Sequence, residues 1–409
     1  MTGTTRFDPA QYKANIRTEW RAAAPGWSAW VGVLEAEDGG GAVSRTLVQL
    51  AGIGPGDVVL DVAAGYGEPG LTAARAVAPG GRVVCTDISG EMLVFGRERA
   101  AAEGLDNVEF LECDAEELVF EEASFDAVLS RQGLQFLPDV AGVLARLRAF
   151  LKPHGRLAAA VWGPPDTVQF AAPVPVIRAE LGLPPPPAGI PGPFALADAG
   201  QLARLVEAAG FTDVETGTVT AIYQTDSPEL ATRWLREVAP PISSLVDGRP
   251  PEVQERVWAK VTQAWAPYTT ADGRVRLENQ AVWVTGTRYD IGSLGAGQSR
   301  LKQTRAHASS TKAKNRSEPD PSEPPGAGST EHPEARNAPN HGRLRRREVL
   351  GGLITSTSAQ HDMPTSGTSW VALQGPPQVC RAAGTPQAST LRGLEPAAEH
   401  RPDSLDKSP

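Results

Sequence analysis

Three aspartates, each placed where an apolar stretch ends, are the residues of this chain best suited to hold a polar ligand. Asp61 follows Val-Val-Leu, Asp87 follows Val-Val-Cys-Thr, and Asp114 follows Val-Glu-Phe-Leu-Glu-Cys. Gly65 and Gly67 come just after the first aspartate, and glycine permits both positive φ and a close approach of backbone to ligand. Carboxylates accept hydrogen bonds from hydroxyl and amino groups. This combination predicts a binding site for a nucleotide-like molecule.

The glycine spacing by itself leaves two ligands open. Gly65, Gly67 and Gly70 fit the G-x-G-x-x-G fingerprint of dinucleotide sites, and Asp87 lies at about the distance where an acid would bind the ribose hydroxyls of NAD. S-adenosylmethionine (SAM) also presents ribose hydroxyls, so Asp87 suits either ligand. The two interpretations are a nicotinamide-dependent oxidoreductase and a SAM-dependent methyltransferase.

Two acids outside the glycine loop favour SAM. Asp61, four residues before Gly65, can receive the amino group of the methionyl part of SAM, whereas it would repel a pyrophosphate. Asp114 can accept the adenine amino group while the Ala115 amide meets a ring nitrogen. Each acid also has a structural interpretation, because Asp61 can cap the loop and Asp114, with Glu116 behind it, can be a helix N-cap. Together the acids are better explained by SAM.

The segment after the predicted fourth strand provides the candidates for catalysis. Ser130, Arg131 and Gln132 stand at its end, where they would close the methionine side of the site. Gln132 and Gln135 can orient a methyl acceptor but cannot deprotonate it, and Arg131 can pair with an acidic acceptor; no convincing general base is present. An oxidoreductase is disfavoured, because the chain has no Tyr-x-x-x-Lys pair and His154 is predicted in a turn away from the ligand.

Alternating strand and helix patterns position these residues. Strands are predicted over 57–62, 82–86, 107–111, 125–130 and 156–162, with helices over 70–78, 90–103 and 139–151 between them. Right-handed crossovers make such strands parallel, and helices then cover both faces of the sheet. Helices near 170–181 and 198–209 follow. Two further strands, 214–223 and 274–288, flank a helical insertion over 227–270 that is predicted to lie over the ligand-binding strand ends.

The chain divides into four predicted regions. Residues 1–50 form an N-terminal helical cap, whose Trp20, Trp27 and Trp30 either roof the site or belong to the core. Residues 51–165 form the Rossmann-like core that binds SAM, and residues 166–290 cover the substrate and complete the sheet. Residues 291–409 are predicted to be a disordered tail, because all ten Phe, all five Tyr and eight of nine Trp precede residue 290.

These ordered motifs resemble the class I SAM-dependent methyltransferases, and among them the ubiquinone/menaquinone-biosynthesis C-methyltransferase-like family, over roughly residues 15–290. The resemblance implies an α/β, Rossmann-like, doubly wound sheet of seven mostly parallel strands with an antiparallel last strand and SAM across the ends of the first, second and fourth strands. Ala63 departs from the family pattern, which has glycine there. The SAM contacts implied by position, with the neighbours that complete the site, are Asp61, Ala63, Gly65, Tyr66, Gly67, Asp87, Ile88, Met92, Asp114, Ala115, Glu116, Ser130 and Arg131.

Bulk composition limits the partners. Residues 1–290 carry a net charge of −13 and residues 291–409 one of +4, and an acidic folded region is poorly suited to a nucleic-acid backbone. Three scattered cysteines are too few for a disulfide framework or a zinc site. No apolar run is long enough to span a membrane, and the N-terminus lacks a signal-peptide core. We expect a cytoplasmic protein with no metal, no nucleic-acid partner and no membrane span.

The resulting prediction is a SAM-dependent methyltransferase that transfers a methyl group by in-line substitution to a small, apolar organic acceptor. The acceptor would be enclosed by the N-terminal cap and the 227–270 insertion. A non-catalytic SAM-binding or interaction protein is the alternative from a different class. An NAD(P)-dependent oxidoreductase is less favoured.

Overall fold

A seven-stranded sheet forms the centre of the protein. The computed structural model describes residues 7–185 and 189–289. Its strands are β1 Val58–Val62, β2 Arg82–Asp87, β3 Val108–Glu112, β4 Phe125–Arg131, β5 Leu151–Trp162, β6 Thr212–Thr225 and β7 Val275–Thr287. They follow the order β3-β2-β1-β4-β5-β7-β6, with β1 to β5 parallel and β7 antiparallel to both of its neighbours. The predicted doubly wound, mostly parallel sheet with an antiparallel last strand is confirmed.

The order of the strands reverses at β1, and this reversal determines where a ligand can bind. β1 pairs with β2 on one side and with β4 on the other. Open α/β sheets bind their ligands in the crevice beyond the carboxyl ends of the strands at such a reversal. Asp61 of β1 pairs in register with Leu129 of β4, so the two strands end at this crevice together.

Helices cover both faces of the sheet. Neighbouring residues of a strand point to opposite faces, so β1 contributes to two separate cores. Val59 packs in the core that contains Leu47, whereas Leu60 packs in the core that contains Leu144 and Leu202. The helices are α1 Pro9–Ala29, α2 Val31–Leu34, α3 Gly40–Leu50, α4 Gly70–Val77, α5 Gly90–Ala102, α6 Val140–Phe150, α7 Val174–Glu180, α8 Ala199–Ala208, α9 Pro228–Val238, α10 Pro240–Ser243 and α11 Pro251–Ala264.

The N-terminal cap (α1 to α3) and the insertion (α9 to α11) pack against each other. A Cβ atom at Gly26 of α1 would lie 2.3 Å from the carbonyl oxygen of Glu237, so only glycine allows this approach to α9. The Trp27 indole donates a hydrogen bond to the Val238 carbonyl at 2.9 Å, and the Trp30 indole donates one to Glu237 at 2.6 Å. The predicted cap before β1 and the predicted helical insertion between the last two strands are therefore both present, and they form one cover.

Element boundaries differ from the predictions mainly from β5 onward. β5 begins at Leu151 rather than at residue 156, because an irregularity between Phe125 and Ala127 of β4 lets Leu151 pair ahead of the main register. β6 extends by two residues at each end beyond the predicted 214–223. The helix predicted over 170–181 begins only at Val174, directly after Pro173, a residue type that is tolerated at helix starts but not in helix interiors.

Two predictions about the chain as a whole are not tested by this fold. The predicted disordered tail, 291–409, lies outside the described residues, and the division at residues 50, 165 and 290 stays a prediction.

Among the described helices, none combines the length and the apolar character that a bilayer span needs. In the same two ranges, no group of three or more His, Cys, Asp or Glu residues is arranged to hold a metal ion.

Candidate functional site

The loop between β1 and α4 turns on three residues in the left-handed region. Ala63 has a φ of 58°, Gly65 of 55° and Gly67 of 103°. A Cβ atom at Gly67 would lie 3.0 Å from the Leu71 side chain, so this position is also crowded. Ala63 adopts positive φ despite its Cβ atom, which costs about 1 kcal/mol. Alanine at the position where the family pattern has glycine is thus compatible with the turn.

Asp61 lies fully buried at the end of β1 and caps α4. Its Oδ2 atom accepts a hydrogen bond from the Gly70 amide at 2.7 Å, whereas Oδ1 has no hydrogen-bond partner among the described residues. Burial raises the pKa of this carboxyl well above its usual range, and the Gly70 amide opposes the rise. The capping interpretation of Asp61 is therefore correct, but it accounts for only one of the two oxygens.

Asp87, at the end of β2, faces the crevice and holds the glycine loop in place. Its Oδ2 atom accepts a hydrogen bond from the Gly65 amide and its Oδ1 atom one from the Ser89 amide, both at 2.9 Å. The residue is 9% exposed, and burial raises its pKa to about 6. Each carboxylate oxygen has a second lone pair, so Asp87 can still accept from two ligand hydroxyls.

Asp114, after β3, is both a helix cap and a partner of the N-terminal cap. Its Oδ1 atom accepts a hydrogen bond from the Glu116 amide at 2.9 Å, at the start of a short 3-10 turn, Ala115–Glu117. Its Oδ2 atom pairs with the Lys13 ammonium at 2.8 Å, and the same ammonium lies 3.0 Å from Glu116. Lys13, on α1, was not foreseen from the sequence. Its role depends on α1 lying across the end of β3.

Four of the twelve buried side-chain polar atoms that lack a hydrogen-bond partner among the described residues lie where β1 and β4 end. Besides Asp61 Oδ1, they are Ser130 Oγ, Gln132 Nε2 and Gln135 Oε1. Gln132 has a φ of 60°, outside the region that a glutamine normally adopts, and its Oε1 atom accepts a hydrogen bond from Gln135 at 3.2 Å. Buried polar groups are nearly always hydrogen-bonded. A ligand that carries both an ammonium and a carboxylate would satisfy acceptors and donors of this kind.

Arg131, at the end of β4, is paired within the protein. One terminal nitrogen donates to Glu35 at 2.7 Å and to the Tyr66 hydroxyl at 2.8 Å, and the other donates to the Gly40 carbonyl and the Ser44 hydroxyl. The Tyr66 hydroxyl also contacts the Glu35 carboxylate. With both terminal nitrogens occupied, Arg131 holds the cap against the glycine loop, and it is poorly placed for the predicted pairing with an acidic acceptor. Glu35 gave no signal in the sequence.

One cavity runs along the crevice and brings most of the predicted residues together. Those that line it are Ala63, Gly65, Tyr66, Asp87, Ile88, Met92, Asp114, Ala115, Arg131 and Gln132. The predicted residues that do not line it are Asp61, Gly67, Glu116, Ser130 and Gln135. Asp61 caps α4, Gly67 belongs to the glycine loop, and Glu116 pairs with Lys13, which lines the cavity. Ser130 and Gln135 carry unpaired buried atoms described above.

The other part of the cavity wall is aromatic. Trp20 and Trp27 of α1 line it from the cap, with ring centroids 5.8 Å apart, whereas Trp30 does not line it. Other aromatic residues of the wall come later in the chain, namely Phe136, Trp162, Phe170, Tyr223 and Trp234. The predicted roofing role fits the first two tryptophans. Tyr223 and Trp234 were not singled out by sequence reasoning.

Comparison with known proteins decides between the ligands left open above. Residues 59–155, which run from β1 into β5 and include the glycine loop, match the family model described as a methyltransferase domain. The chain contains a class I SAM-dependent methyltransferase domain. SAM is accordingly the cofactor of the methyltransferase domain, and the dinucleotide interpretation of its glycines is not favoured.

Relatives of the methyltransferase domain extend over only part of the chain. The ubiquinone/menaquinone biosynthesis C-methyltransferase UbiE of Pseudomonas fluorescens is 36% identical over 137 residues, which cover 31% of this chain and 54% of that protein. The uncharacterized protein Rv1405c of Mycobacterium tuberculosis is 37% identical over 154 residues, covering 38% and 54%. The chain thus spans about half the length of the curated relatives it matches.

Solved structures with a similar backbone are more distant in sequence. The cyclase SpnF is 17% identical, with a TM-score of 0.45, and the match covers 68% of this chain and 97% of that one. Phosphoethanolamine N-methyltransferase 2 of Haemonchus contortus is 18% identical, with a TM-score of 0.43 and coverage of 68% and 61%. Similarity at this level carries no argument about the acceptor.

Proposed function

We propose that the protein transfers a methyl group from SAM to a small, apolar organic acceptor that binds under the joint cover of the cap and the insertion. One observation carries the proposal: the residues of the glycine loop and the aromatic side chains of the cover line the same cavity. A cofactor held against the loop would therefore face an apolar acceptor directly. Metal participation is not part of the proposal.

The cofactor end of the cavity offers a partner for each polar part of SAM. Asp87 would accept the ribose hydroxyls, and Asp114 with the Ala115 amide would meet the adenine edge. The unpaired Nε2 atom of Gln132, which lines the cavity, would donate to the methionyl carboxylate. The unpaired Asp61 Oδ1 and Ser130 Oγ atoms, which do not line the cavity, would accept from the methionyl ammonium if the ligand displaces the side chains in front of them. An ammonium beside Asp61 would also favour the ionised form that burial alone disfavours.

The acceptor end has no charged group free to bind an ion. Among the described residues that line the cavity, Lys13 is paired with Asp114, Arg131 with Glu35, and Glu68 with Arg99. The remaining wall is formed mainly by tryptophan, phenylalanine and aliphatic side chains. A neutral, largely apolar acceptor would be desolvated there at little cost, whereas a phosphate or carboxylate would lose its hydration without a counter-ion.

The chemistry then rests on positioning. When SAM is bound, it supplies an electrophilic methyl group whose bond to sulfur breaks as the bond to the acceptor forms. The cap and insertion would exclude water, and the aromatic walls would hold the acceptor in line with the methyl group. Such positioning lowers the activation free energy by several kcal/mol. Glu68 and Asp114 are already paired in the cavity wall, and burial holds the pKa of both Tyr66 and Tyr223 above its usual range. The acceptor's own acidity would therefore have to account for any proton that is lost, and that proton would pass to bulk solvent after the methyl transfer, when the product leaves the cavity.

Calorimetric titration of the full chain with SAM, and separately with NADH, tests the proposal. We expect saturable SAM binding, no response to NADH, and a loss of SAM affinity of about tenfold or more in Asp87→Asn, because hydrogen bonds to a charged group contribute about 1.5–3 kcal/mol. Asp57→Asn is the matched control, since Asp57 also accepts a backbone hydrogen bond, from Gly54 at 2.8 Å, but does not line the cavity.

The same experiment separates the alternatives. NADH binding without SAM binding would favour the oxidoreductase and contradict the proposal. SAM binding followed by no methyl transfer to any of a panel of neutral aromatic acceptors, with transfer monitored as S-adenosylhomocysteine release, would favour the non-catalytic SAM-binding protein.

A further inference from the structure

Tyr223 is the buried polar residue of the cavity wall that the account above leaves without a role. It lies on β6, is 7% exposed and lines the cavity. Its register partner on β7 is Leu277, and the neighbouring positions of the same face, Ala221 and Thr225, are buried too. The alternation of β6 therefore turns this side chain away from solvent.

The ring of Tyr223 is held in a fixed orientation by two tryptophans. Its centroid lies 5.3 Å from that of Trp234 and 6.3 Å from that of Trp162, the latter nearly perpendicular at 82°. Phe170 packs in turn against Trp162 at 5.0 Å. Edge and tilted contacts of this kind restrict ring rotation about the side-chain bonds. The position of the hydroxyl is accordingly set by the fold.

The hydroxyl makes no hydrogen bond with another described residue, and neither does the Nε1 atom of Trp234, whereas other polar groups on aromatic rings are paired. The Tyr66 hydroxyl contacts Glu35 and Arg131, and the Trp265 indole donates to Thr232 at 3.0 Å. Arg131, Glu35 and Tyr66, which are bonded to one another, interact with Tyr223 electrostatically. The hydroxyl oxygen is not among the fully buried unpaired atoms of the described residues, so it is open to the cavity, where a ligand can accept a hydrogen bond from it.

The surroundings make this hydroxyl a donor. Burial raises the pKa of Tyr223, so the phenol stays protonated over the whole physiological range and cannot serve as a base. With Lys13 and Arg131 paired, the described part of the wall offers no free cation to compete for an acceptor oxygen.

We propose that the Tyr223 hydroxyl donates the hydrogen bond that fixes an oxygen of the methyl acceptor, so that the cavity selects neutral planar molecules bearing a carbonyl or hydroxyl oxygen. That this molecule is the methyl acceptor rests on the proposed function. The binding preference itself rests on the cavity and can be measured without methyl transfer. Tyr223 is thus a positioning residue that contacts the substrate and takes no proton from it.

Two probes of similar shape test this proposal: acetophenone has a carbonyl group where ethylbenzene has a methylene group. Their affinities are measured by ligand-observed NMR titration of the full chain saturated with S-adenosylhomocysteine, in the parent protein, Tyr223→Phe and Tyr268→Phe. We expect Tyr223→Phe to weaken acetophenone binding by about two- to tenfold, the range for one hydrogen bond, and to leave ethylbenzene within twofold. Tyr268, which does not line the cavity, is the matched control and should change neither.

The outcomes decide separately on the two proposals. Equal losses for both probes, no loss for either, or no saturable binding of acetophenone to the parent protein would overturn the role of Tyr223. Calorimetry with SAM on the same samples reports on the cofactor site. Absent SAM binding together with retained probe selectivity would contradict methyl transfer and leave the Tyr223 contact standing.

Discussion

The two ends of the cavity are built in different ways. At the cofactor end, the carboxylates come from the last residues of β1 and β2 and from the segment after β3, and backbone amides such as those of Gly65 and Gly70 hold two of them in place. At the acceptor end, the wall is assembled from side chains far apart in the chain, such as Trp20, Trp162 and Trp234. The first end depends on backbone geometry, and the second depends on how distant segments pack. Substitutions at the two ends should therefore impair ligand binding for different reasons.

The largest effect is expected at the pair that joins the cap to the sheet. Glu35→Gln leaves the Arg131 guanidinium, whose side chain is 8% exposed, without its counter-ion. Loss of one member of a buried pair costs about 3–5 kcal/mol of the free energy of unfolding, to be measured by urea denaturation. Arg233→Met breaks the exposed pair with Glu237 and should cost less than about 1 kcal/mol. Equal costs for the two variants would contradict the assignment of a buried pair.

An intermediate effect is expected at the start of α4. In Gly70→Ala, the new Cβ atom would lie 2.3 Å from Cys85 Sγ and 2.9 Å from Asp61 Oδ2, so the helix start must shift. Overpacking costs about 1–3 kcal/mol of stability. SAM affinity should fall as well, because Asp61 loses the hydrogen bond that it accepts from the Gly70 amide. Gly54→Ala, where a Cβ atom meets nothing within 4 Å, is the control. Unchanged SAM binding in Gly70→Ala would show that this capping geometry is dispensable.

The smallest effect, and the one most specific to the cofactor end, is a dependence on pH. With a pKa of about 6, Asp87 is ionised at pH 7.5 and becomes protonated as the pH falls. A protonated carboxyl accepts poorly from two hydroxyls, so calorimetry should show SAM affinity constant above about pH 7 and falling by up to tenfold per unit below pH 6. The profile of Asp87→Asn should be flat over this range, and a flat profile for the parent protein would refute the assignment.

The accompanying effect of Asp87 on folding has the opposite direction. Its folded pKa lies above the unfolded value, so the protonated form is favoured in the folded state. That contribution to stability is fully present below about pH 4 and is lost as the pH rises through 6. Weaker SAM binding at pH 5 therefore cannot be attributed to a loss of stability at this residue.

Sequence reasoning identified the cofactor end because its signals are local. Asp61, Gly65 and Asp87 mark strand ends within a short stretch, and period-two and helical patterns set the sheet around them. The contacts between the cap and the sheet lacked such signals, since Glu35 meets Arg131, and Lys13 meets Asp114, only after the cap folds over the sheet. Tyr223 had one usable signal, the alternation of β6, which places it on the same buried face as Ala221. Only the structure shows that its hydroxyl has no hydrogen-bond partner among the described residues and that the side chain lines the cavity.

The way the insertion is attached has a consequence for how such proteins diversify. Thr225 at the end of β6 and Val275 at the start of β7 are paired neighbours in the sheet, so the intervening helices leave and re-enter the fold at a single point. A segment attached in this way begins and ends at the same place in the fold, so its length can change without moving either strand. We therefore expect that the insertion, which forms part of the cavity wall, can change in length while the register of β6 and β7 stays the same.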